Sequence, residues 1–358
     1  DDYQHNAKTI KRWGSNRGSV CLGNQKLSIA VPRVRDQATG KEVSLESYRA
    51  FQSPQAINHH ALAQVINGIS TRKFEKAAMQ IPSTFGIKKS SISNQFIQAS
   101  AKQLETFQNR NLSTLDILVI FMDGKCFAKN EMIIALGVTL QGEKVILGAI
   151  EAATENEKVV RDFLNPLKDR GLKSDHKILF VMDGAKGLRK GINGVFGNQA
   201  IIQRCQWHKR ENVVSYLPKG EQDRFRKKLK KAYHQKDYGV AKKQLSAIRN
   251  ELKLMNGSAV RSLDEGLEET LTLQRLGLFE SLGISLKTTN CIESVNSQLE
   301  QYTRRVTYWK NSDQRQRWVA TALLEIEPTL RKIQGHQFLP ALRINMENFN
   351  MVNKEADA

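Results

Sequence analysis

Twice in this chain an apolar run ends on methionine, aspartate and glycine: Phe121-Met122-Asp123-Gly124 and Val181-Met182-Asp183-Gly184. The runs, Leu115 to Met122 and Lys177 to Met182, have the length of strands and too little polar character for one wet face. Such strands belong in the covered middle of an α/β sheet. An aspartate at the end of each, with glycine next to let the backbone turn, projects a carboxylate into the crevice beyond the strand ends. A lone Asp-Gly is an ordinary turn. Two on neighbouring strands bring together carboxylates that repel unless a cation lies between them, and hard oxygen donors select Mg²⁺ or Mn²⁺ over zinc.

The surrounding pattern gives these strands a place. Leu115–Met122, Met132–Val138 and Lys144–Ile150 read as consecutive strands, the last two joined by a Gln141-Gly142 turn. A helix from Asn156 to Asp169 stops at Gly171, and strand Lys177–Met182, a short helix and strand Ala200–Gln203 follow. Three strands, then helix, strand, helix, strand is the order of a ribonuclease H-like core. The expected fold is multidomain α/β: a mixed-sheet catalytic core over 113–208, an all-helical insertion over 209–286, the rest of the core over 287–347 and a flexible tail at 348–358.

Two smaller units are expected upstream. Residues 1–50 read as a β-rich DNA-binding unit, with strands Ser19–Leu22 and Lys26–Val31, the second ending at Pro32. Residues 51–112 read as three helices in helix-turn-helix order, with hydroxyl N-caps at Ser70 or Thr71 and at Ser90 or Ser91, and Gly86 in the turn. The start of the last helix in such a module enters the major groove, which offers Lys88, Lys89, Ser90, Ser91, Ser93 and Asn94 to DNA. A plain three-helix bundle is the alternative.

Charge names the partner. The 358 residues carry 55 Lys and Arg against 36 Asp and Glu, a net charge of 55 − 36 = +19, more than solubility needs and suited to nucleic acid. No apolar stretch is long enough for a membrane span or a secretory signal, and the cysteines at 21, 126, 205 and 291 are scattered. A reducing, cytoplasmic and nucleoid-associated setting is expected. The chain begins at Asp1 and not at methionine, which leaves room for a longer amino terminus.

A third carboxylate is available in Thr288-Thr289-Asn290-Cys291-Ile292-Glu293-Ser294-Val295-Asn296-Ser297. On a helix, Asn290, Glu293 and Ser297 share a polar stripe while Ile292, Val295 and Leu299 face a core.

With these phrases, Asp183-Gly184-Ala185-Lys186-Gly187-Leu188 and Arg204-Cys205-Gln206-Trp207-His208-Lys209, the chain resembles the Mutator-type transposases of bacterial insertion sequences. Val31-Pro32-Arg33, Gly68-Ile69-Ser70-Thr71-Arg72, Ala135-Leu136-Gly137-Val138 and Leu147-Gly148 extend the resemblance over about residues 15 to 330. It implies a DDE recombinase in which Asp123, Asp183 and Glu293 bind two Mg²⁺ ions, with Mn²⁺ as substitute. Cleavage and strand transfer on DNA then need no covalent protein intermediate. Cys205 and His208 meet the family's Cys-x-x-His signature and are expected to shape the active site rather than hold a metal, since two ligands make no zinc site. The expected partners are double-stranded DNA, as terminal inverted repeats and target, and a second copy of the chain on two DNA ends. Further DNA contacts are expected from Arg72, Lys186, Asn290, Arg304, Arg305 and Lys310, from Trp309 as a base-stacking platform, and from Arg224, Arg226, Lys227 and Lys228 on the insertion. A structure-selective nuclease of the same core, or a transposase-derived protein that binds DNA without catalysis, are the competing readings.

Overall fold

The computed structural model describes residues 10–22, 25–52, 65–66, 84–86, 89–127, 130–152, 154, 156–304 and 306–349. The chain divides into two compact units, 1–105 and 106–358.

In the first unit, β1 (Ile10–Leu22) and β2 (Gln25–Asp36) form a long antiparallel hairpin, and β3 (Glu42–Val43) and β4 (Thr84–Gly86) both pair with β2. Helices α1 (Glu46–Gln52) and α2 (Lys89–Gln108) accompany them. The strands outrun the expected spans because Pro32 does not end β2. It lies opposite Ser15, just past a register shift between Arg12 and Ser15, and among the described residues the other edge of β2 is paired only at Gln25 to Leu27 and at Val34 and Arg35. Neither β3 nor β4 therefore asks for the N–H that proline lacks.

Of the three helices expected between Pro54 and Phe107, the third is α2. The first two lie outside the described residues apart from Val65 and Ile66, which are helical and buried. Gly86, expected in a turn between helices, instead ends a strand, because Thr84-Phe85-Gly86 takes up the open edge of β2. The expected boundary at 112 also moves. Phe107 and Leu112 are buried, and Arg170 donates to the Phe107 and Gln108 carbonyls while its own carbonyl accepts from Leu112, so the stretch after 105 belongs to the second unit.

The second unit is built on a mixed five-stranded sheet in the order β7-β6-β5-β8-β9. Its strands are β5 (Ile117–Phe127), β6 (Asn130–Thr139), β7 (Lys144–Ala152), β8 (Ile178–Met182) and β9 (Ala200–Arg204). The first three form an antiparallel meander, and β8 and β9 run parallel to β5. Leu118 to Met122 and Ile178 to Met182 are wholly buried, as unbroken apolar central strands require. One face, with Ile120, Met122, Phe180 and Met182, packs on α3 (Glu157–Asp169) and α4 (Lys186–Phe196). Asn156 caps α3 by accepting from Val159 N–H at 3.0 Å, and Gly171 at φ 96° follows it, as the sequence led us to expect.

Beyond β9 the chain is helical: α5 (Gln206–Val214), α6 (Lys219–Tyr233), α7 (Tyr238–Lys253), α8 (Gly257–Asp264), α9 (Leu267–Thr270), α10 (Thr272–Arg275) and α11 (Phe279–Leu286). Val213, Phe225, Leu229, Leu245, Leu263 and Leu271 belong to a second apolar core in this region. Helices α12 (Asn290–Thr303) and α13 (Ser312–Ile326) then return to the sheet, α12 against β5 and α13 against β7, and α14 (Leu339–Glu347) closes the described chain. Among the described residues no helix is long and apolar enough to cross a membrane.

Candidate active site

Strands β5 and β8 are parallel and in register, with Met122 opposite Met182. Side chains alternate along a strand, so the residues that follow, Asp123 and Asp183, both leave the face that Met122 and Met182 pack on. The opposite face is the one that leaves room for α12, which packs on β5 and carries Glu293. The three acids named from the sequence are thus brought into one electrostatic neighbourhood: Asp183 and Glu293 both act on the Asp123 carboxyl.

The two Asp-Gly pairs are made differently. Asp123 does not end its strand, because β6 stays paired beyond it, Asp123 with Ile134 and onward to Phe127 with Asn130. It lies one residue past the end of the parallel ladder with β8. Gly124 therefore stays in the strand, whereas Gly184 turns with φ 104°. There the turn also needs an absent side chain, since a Cβ on Gly184 would stand 1.9 Å from Arg204 Nε. Asp183 Oδ1 accepts from Ala185 N–H at 2.9 Å.

Asn296 donates its Nδ2 to Asp123 Oδ2 at 2.9 Å. Burial, the charge of Asp183 and that of Glu293 push the Asp123 carboxyl up to about 6, against the opposing pull of His208 and of the Asn296 hydrogen bond. Asn296 is 5% exposed and its Oδ1 is buried without a hydrogen-bond partner.

Glu293 is held from the other side. Thr289 precedes α12 in the cap position, but its hydroxyl serves Glu293 instead of the helix backbone, with Oγ1 2.7 Å from Glu293 Oε1. The same oxygen lies 3.3 Å from His208 Nδ1 and 3.5 Å from Cys205 Sγ. A hydroxyl has one proton, and the shortest contact takes it, so the His208 ring N–H donates to the oxygen. His208 Nε2 is 3.9 Å from Glu293 Oε1. A hydrogen bond to Cys205, and then the charges of Cys205, Glu293 and Asp183, raise the imidazole to about 9 despite its burial. Burial alone would push the Cys205 thiol up, but hydrogen bonds from the His208 side chain and backbone, with the charge of His208, bring it below its ordinary value. The Cys-x-x-His pair thus reaches Glu293 through Thr289. Among the described residues no three His, Cys, Asp or Glu side chains, as placed, are grouped to hold one ion.

Below the Gly184 turn sit two buried cations. Arg204 Nη1 donates to the Glu265 carbonyl at 2.8 Å, and Lys209 Nζ donates to the same oxygen. Burial, and then Arg204, lower the Lys209 ammonium to about 8.

The expected DNA contacts fare unevenly. Arg72, Lys88 and Arg305 lie outside the described residues. Lys89, Ser90 and Ser91 open α2, followed by half-buried Ser93 and exposed Asn94. Lys186 is exposed, 3.6 Å from Glu265, and Asn290, Arg304 and Lys310 are exposed. The basic run on α6 is largely paired: Arg224 with Glu221 and Glu251, Arg226 with Glu211 and Asp223, Lys228 with Glu251. Lys227 carries no ion pair among the described residues. Trp309 is half-buried and meets Phe127 and Trp318 edge-on, at 4.9 and 5.9 Å between ring centres.

The site also uses residues the sequence reading passed over. Thr289 and Asn296 stand four before and three after Glu293, a helical spacing that puts both beside it. Arg204 and Lys209 flank the Cys-x-x-His phrase, but nothing local marks them as buried, since their partner is a carbonyl far along the chain.

The family model for transposases of the Mutator family matches residues 2–330. The transposase of insertion sequence element IS256 in transposon Tn4001 from Staphylococcus aureus is 27% identical over 314 residues, 84% of this chain and 77% of that protein. The transposase of ISRM5 from Rhizobium meliloti (strain 1021) is 27% identical over 310 residues, 84% of this chain and 75% of that protein. That of IS905 from Lactococcus lactis subsp. lactis (strain IL1403) is 28% identical over 232 residues, 63% of this chain and 57% of that protein. A match that runs from the first hairpin through the helix bearing Glu293 takes in every element of the site, and the chain belongs to the Mutator family of transposases.

Proposed function

We propose that this chain binds the terminal inverted repeats of an insertion sequence, cleaves DNA at the element's ends and joins the freed 3′ ends to target DNA. Asp123, Asp183 and Glu293 would hold two Mg²⁺ ions, with Mn²⁺ as substitute. The observation that carries the reading is the delivery of two aspartates to one face by parallel strands in register, under the glutamate helix. The strand order, antiparallel for three strands and parallel for the last two, supports a ribonuclease H-like core. A helix-turn-helix module ending in α2, the insertion over 209–286 and a dimer on paired DNA ends complete the proposal.

The residues present suit divalent ions. All three donors are carboxylates, burial and then the charges of Asp183 and Glu293 raise Asp123 to about 6, and the buried Asn296 Oδ1 beside them has no partner. Bound there, Mg²⁺ would activate the attacking water or 3′ hydroxyl and stabilise the departing oxygen. The protein's own part is positional. Asn296 fixes Asp123, the Ala185 N–H fixes Asp183, and Thr289 holds Oε1 of Glu293 and leaves Oε2 for an ion. Cys205 is buried and engaged with Thr289, so it does not present a nucleophile.

The test is a strand-transfer assay with a labelled duplex ending in the element's inverted repeat, a supercoiled target and Mg²⁺, beside Asp183→Ala. Joined product from the native chain alone is expected. Cleavage without joining would replace the proposal with a nuclease, and DNA binding with neither reaction would replace it with a non-catalytic protein.

A further inference from the structure

A polar cavity of about 510 Å³ lies beside the Asp183 turn, lined in part by Lys186, Arg204, Ser258, Arg261, Ser262 and Glu265. Its volume falls within the range of about 300–1,000 Å³ usual for ligand sites. Three of these side chains are cations and one is a carboxylate, and that carboxylate is shared at long range. Glu265 stands 3.6 Å from Lys186 Nζ and 3.8 Å from Arg204 Nη2. Arg261 donates to Ser258 Oγ at 2.9 Å and carries no ion pair among the described residues. Arg204 is 6% exposed and its Nε is buried without a hydrogen-bond partner. The cavity therefore keeps an excess of about two positive charges, from the Coulomb standpoint a site for an anion.

The donors also fit a particular anion. A guanidinium fork and hydroxyl groups offer N–H and O–H to non-bridging phosphate oxygens, the contacts that most protein–DNA hydrogen bonds make. The cavity shares a wall with the candidate active site: the Arg204 side chain lies where a Cβ on Gly184 would be, and Lys186 is three residues past Asp183. An occupant of this cavity sits next to the turn that presents Asp183.

We infer that this cavity binds a backbone phosphate of the DNA flanking the reacting bond, with Arg261 as its principal free cation. The inference rests on the DNA-processing reading above, and it adds to it a built phosphate site formed by α4, β9 and α8. A backbone contact of this kind positions the strand without selecting its sequence.

The experiment is fluorescence anisotropy of a labelled random-sequence duplex across a salt series, with the native chain, Arg261→Ala, Arg261→Lys and Lys236→Ala. Arg261 is exposed with a single side-chain partner, so its variants should fold, and their thermal midpoints are read alongside. Lys236 is an exposed lysine paired with Glu280, away from the cavity lining, and it removes the same charge. Arg261→Ala should weaken binding about five- to tenfold and flatten the slope of log K against log salt by about 0.9, the share of one phosphate. Arg261→Lys should keep the slope and lose part of the affinity, since charge remains and the fork is gone. Equal affinity and slope for Arg261→Ala and the native chain would overturn the site while leaving the transposase reading standing. An equal loss in Lys236→Ala would assign the effect to bulk charge and overturn it too. Failure of the native chain to bind any duplex would overturn both.

Discussion

Removing one charge from the carboxylate cluster should stabilise the metal-free protein. Asp123 is raised from an ordinary 3.8 to about 6 by burial and by Asp183 and Glu293. The folded state therefore holds that proton more tightly than the unfolded chain. Below pH 3.8 both states are protonated and the site carries no penalty; between there and about 6 the penalty grows, and above it the penalty is complete. At 1.36 kcal/mol per pH unit the full penalty is about 3 kcal/mol, an upper figure because neighbouring charges relax. Asp123→Asn keeps an oxygen for Asn296 and deletes the charge. In chelator at pH 7.5 its thermal midpoint should exceed the native one by roughly 6–12 °C, at about 2–4 °C per kcal/mol for a unit of this size. At pH 4.5 the gap should shrink to about 1 kcal/mol on the same scale. Millimolar Mg²⁺ should then raise the native midpoint and not the variant's, because an ion that binds only the folded cluster stabilises it. A variant no more stable than the native chain at pH 7.5, or a gap indifferent to pH, would refute the reasoning.

Gly184→Ala must place a side chain at positive φ, which costs roughly 1–3 kcal/mol, and must push the Arg204 guanidinium off the Glu265 carbonyl. A midpoint about 10 °C lower is expected, and a fall of under about 3 °C would show that the turn is not needed. Thr289→Val keeps the volume of a buried side chain but frees Glu293 Oε1, so Mn²⁺ affinity measured calorimetrically should fall about 10- to 100-fold. Thr289→Ser should restore it, and wild-type affinity in the valine variant would sink the assignment. His208 is raised from 6.5 to about 9, so the stability it contributes is complete below 6.5 and lost as pH rises through 9. Denaturant titrations of the native chain should therefore lose stability between pH 7 and 9 relative to His208→Gln, and parallel curves would contradict the charged imidazole.

Where the sequence was informative, the reason was periodicity with a local stop. The buried strands β5 and β8 and the helix from Asn156 to Gly171 are each specified by their own residues, and so is the alternation that sends Asp123 and Asp183 to one face. Pro32 misled because its tolerance depends on what the far edge of β2 pairs with, a fact of tertiary structure. Asp123 lies inside its strand and not at the end for the same kind of reason: only the partner strand decides how far a hairpin stays zipped, and here β6 stays paired as far as Asn130. The buried cations were illegible because burial of Arg204 and Lys209 is made tolerable by one carbonyl, that of Glu265, which no local pattern connects to them.

Net charge invites a similar misreading. An excess of nineteen suggests a broad basic surface, yet many of the basic residues nearest the site are held by carboxylates from other elements: Lys125 by Glu300, Lys186 by Glu265, Arg189 by Glu269. The run on α6 is treated alike, with Glu211, Glu221 and Glu251 occupying Arg224, Arg226 and Lys228. Exposed pairs are weak, so these cations remain available in principle, but each exchange of a carboxylate for a phosphate releases less free energy than filling an unpaired cation. The salt dependence of DNA binding should then follow the exposed cations without ion pairs among the described residues, such as Lys227, Lys230, Lys231, Arg261 and Lys310, rather than the formal excess. Their positions divide between α6, the cavity wall and the turn before α13, so a phosphate backbone that satisfies them must run past the helical region and the core alike.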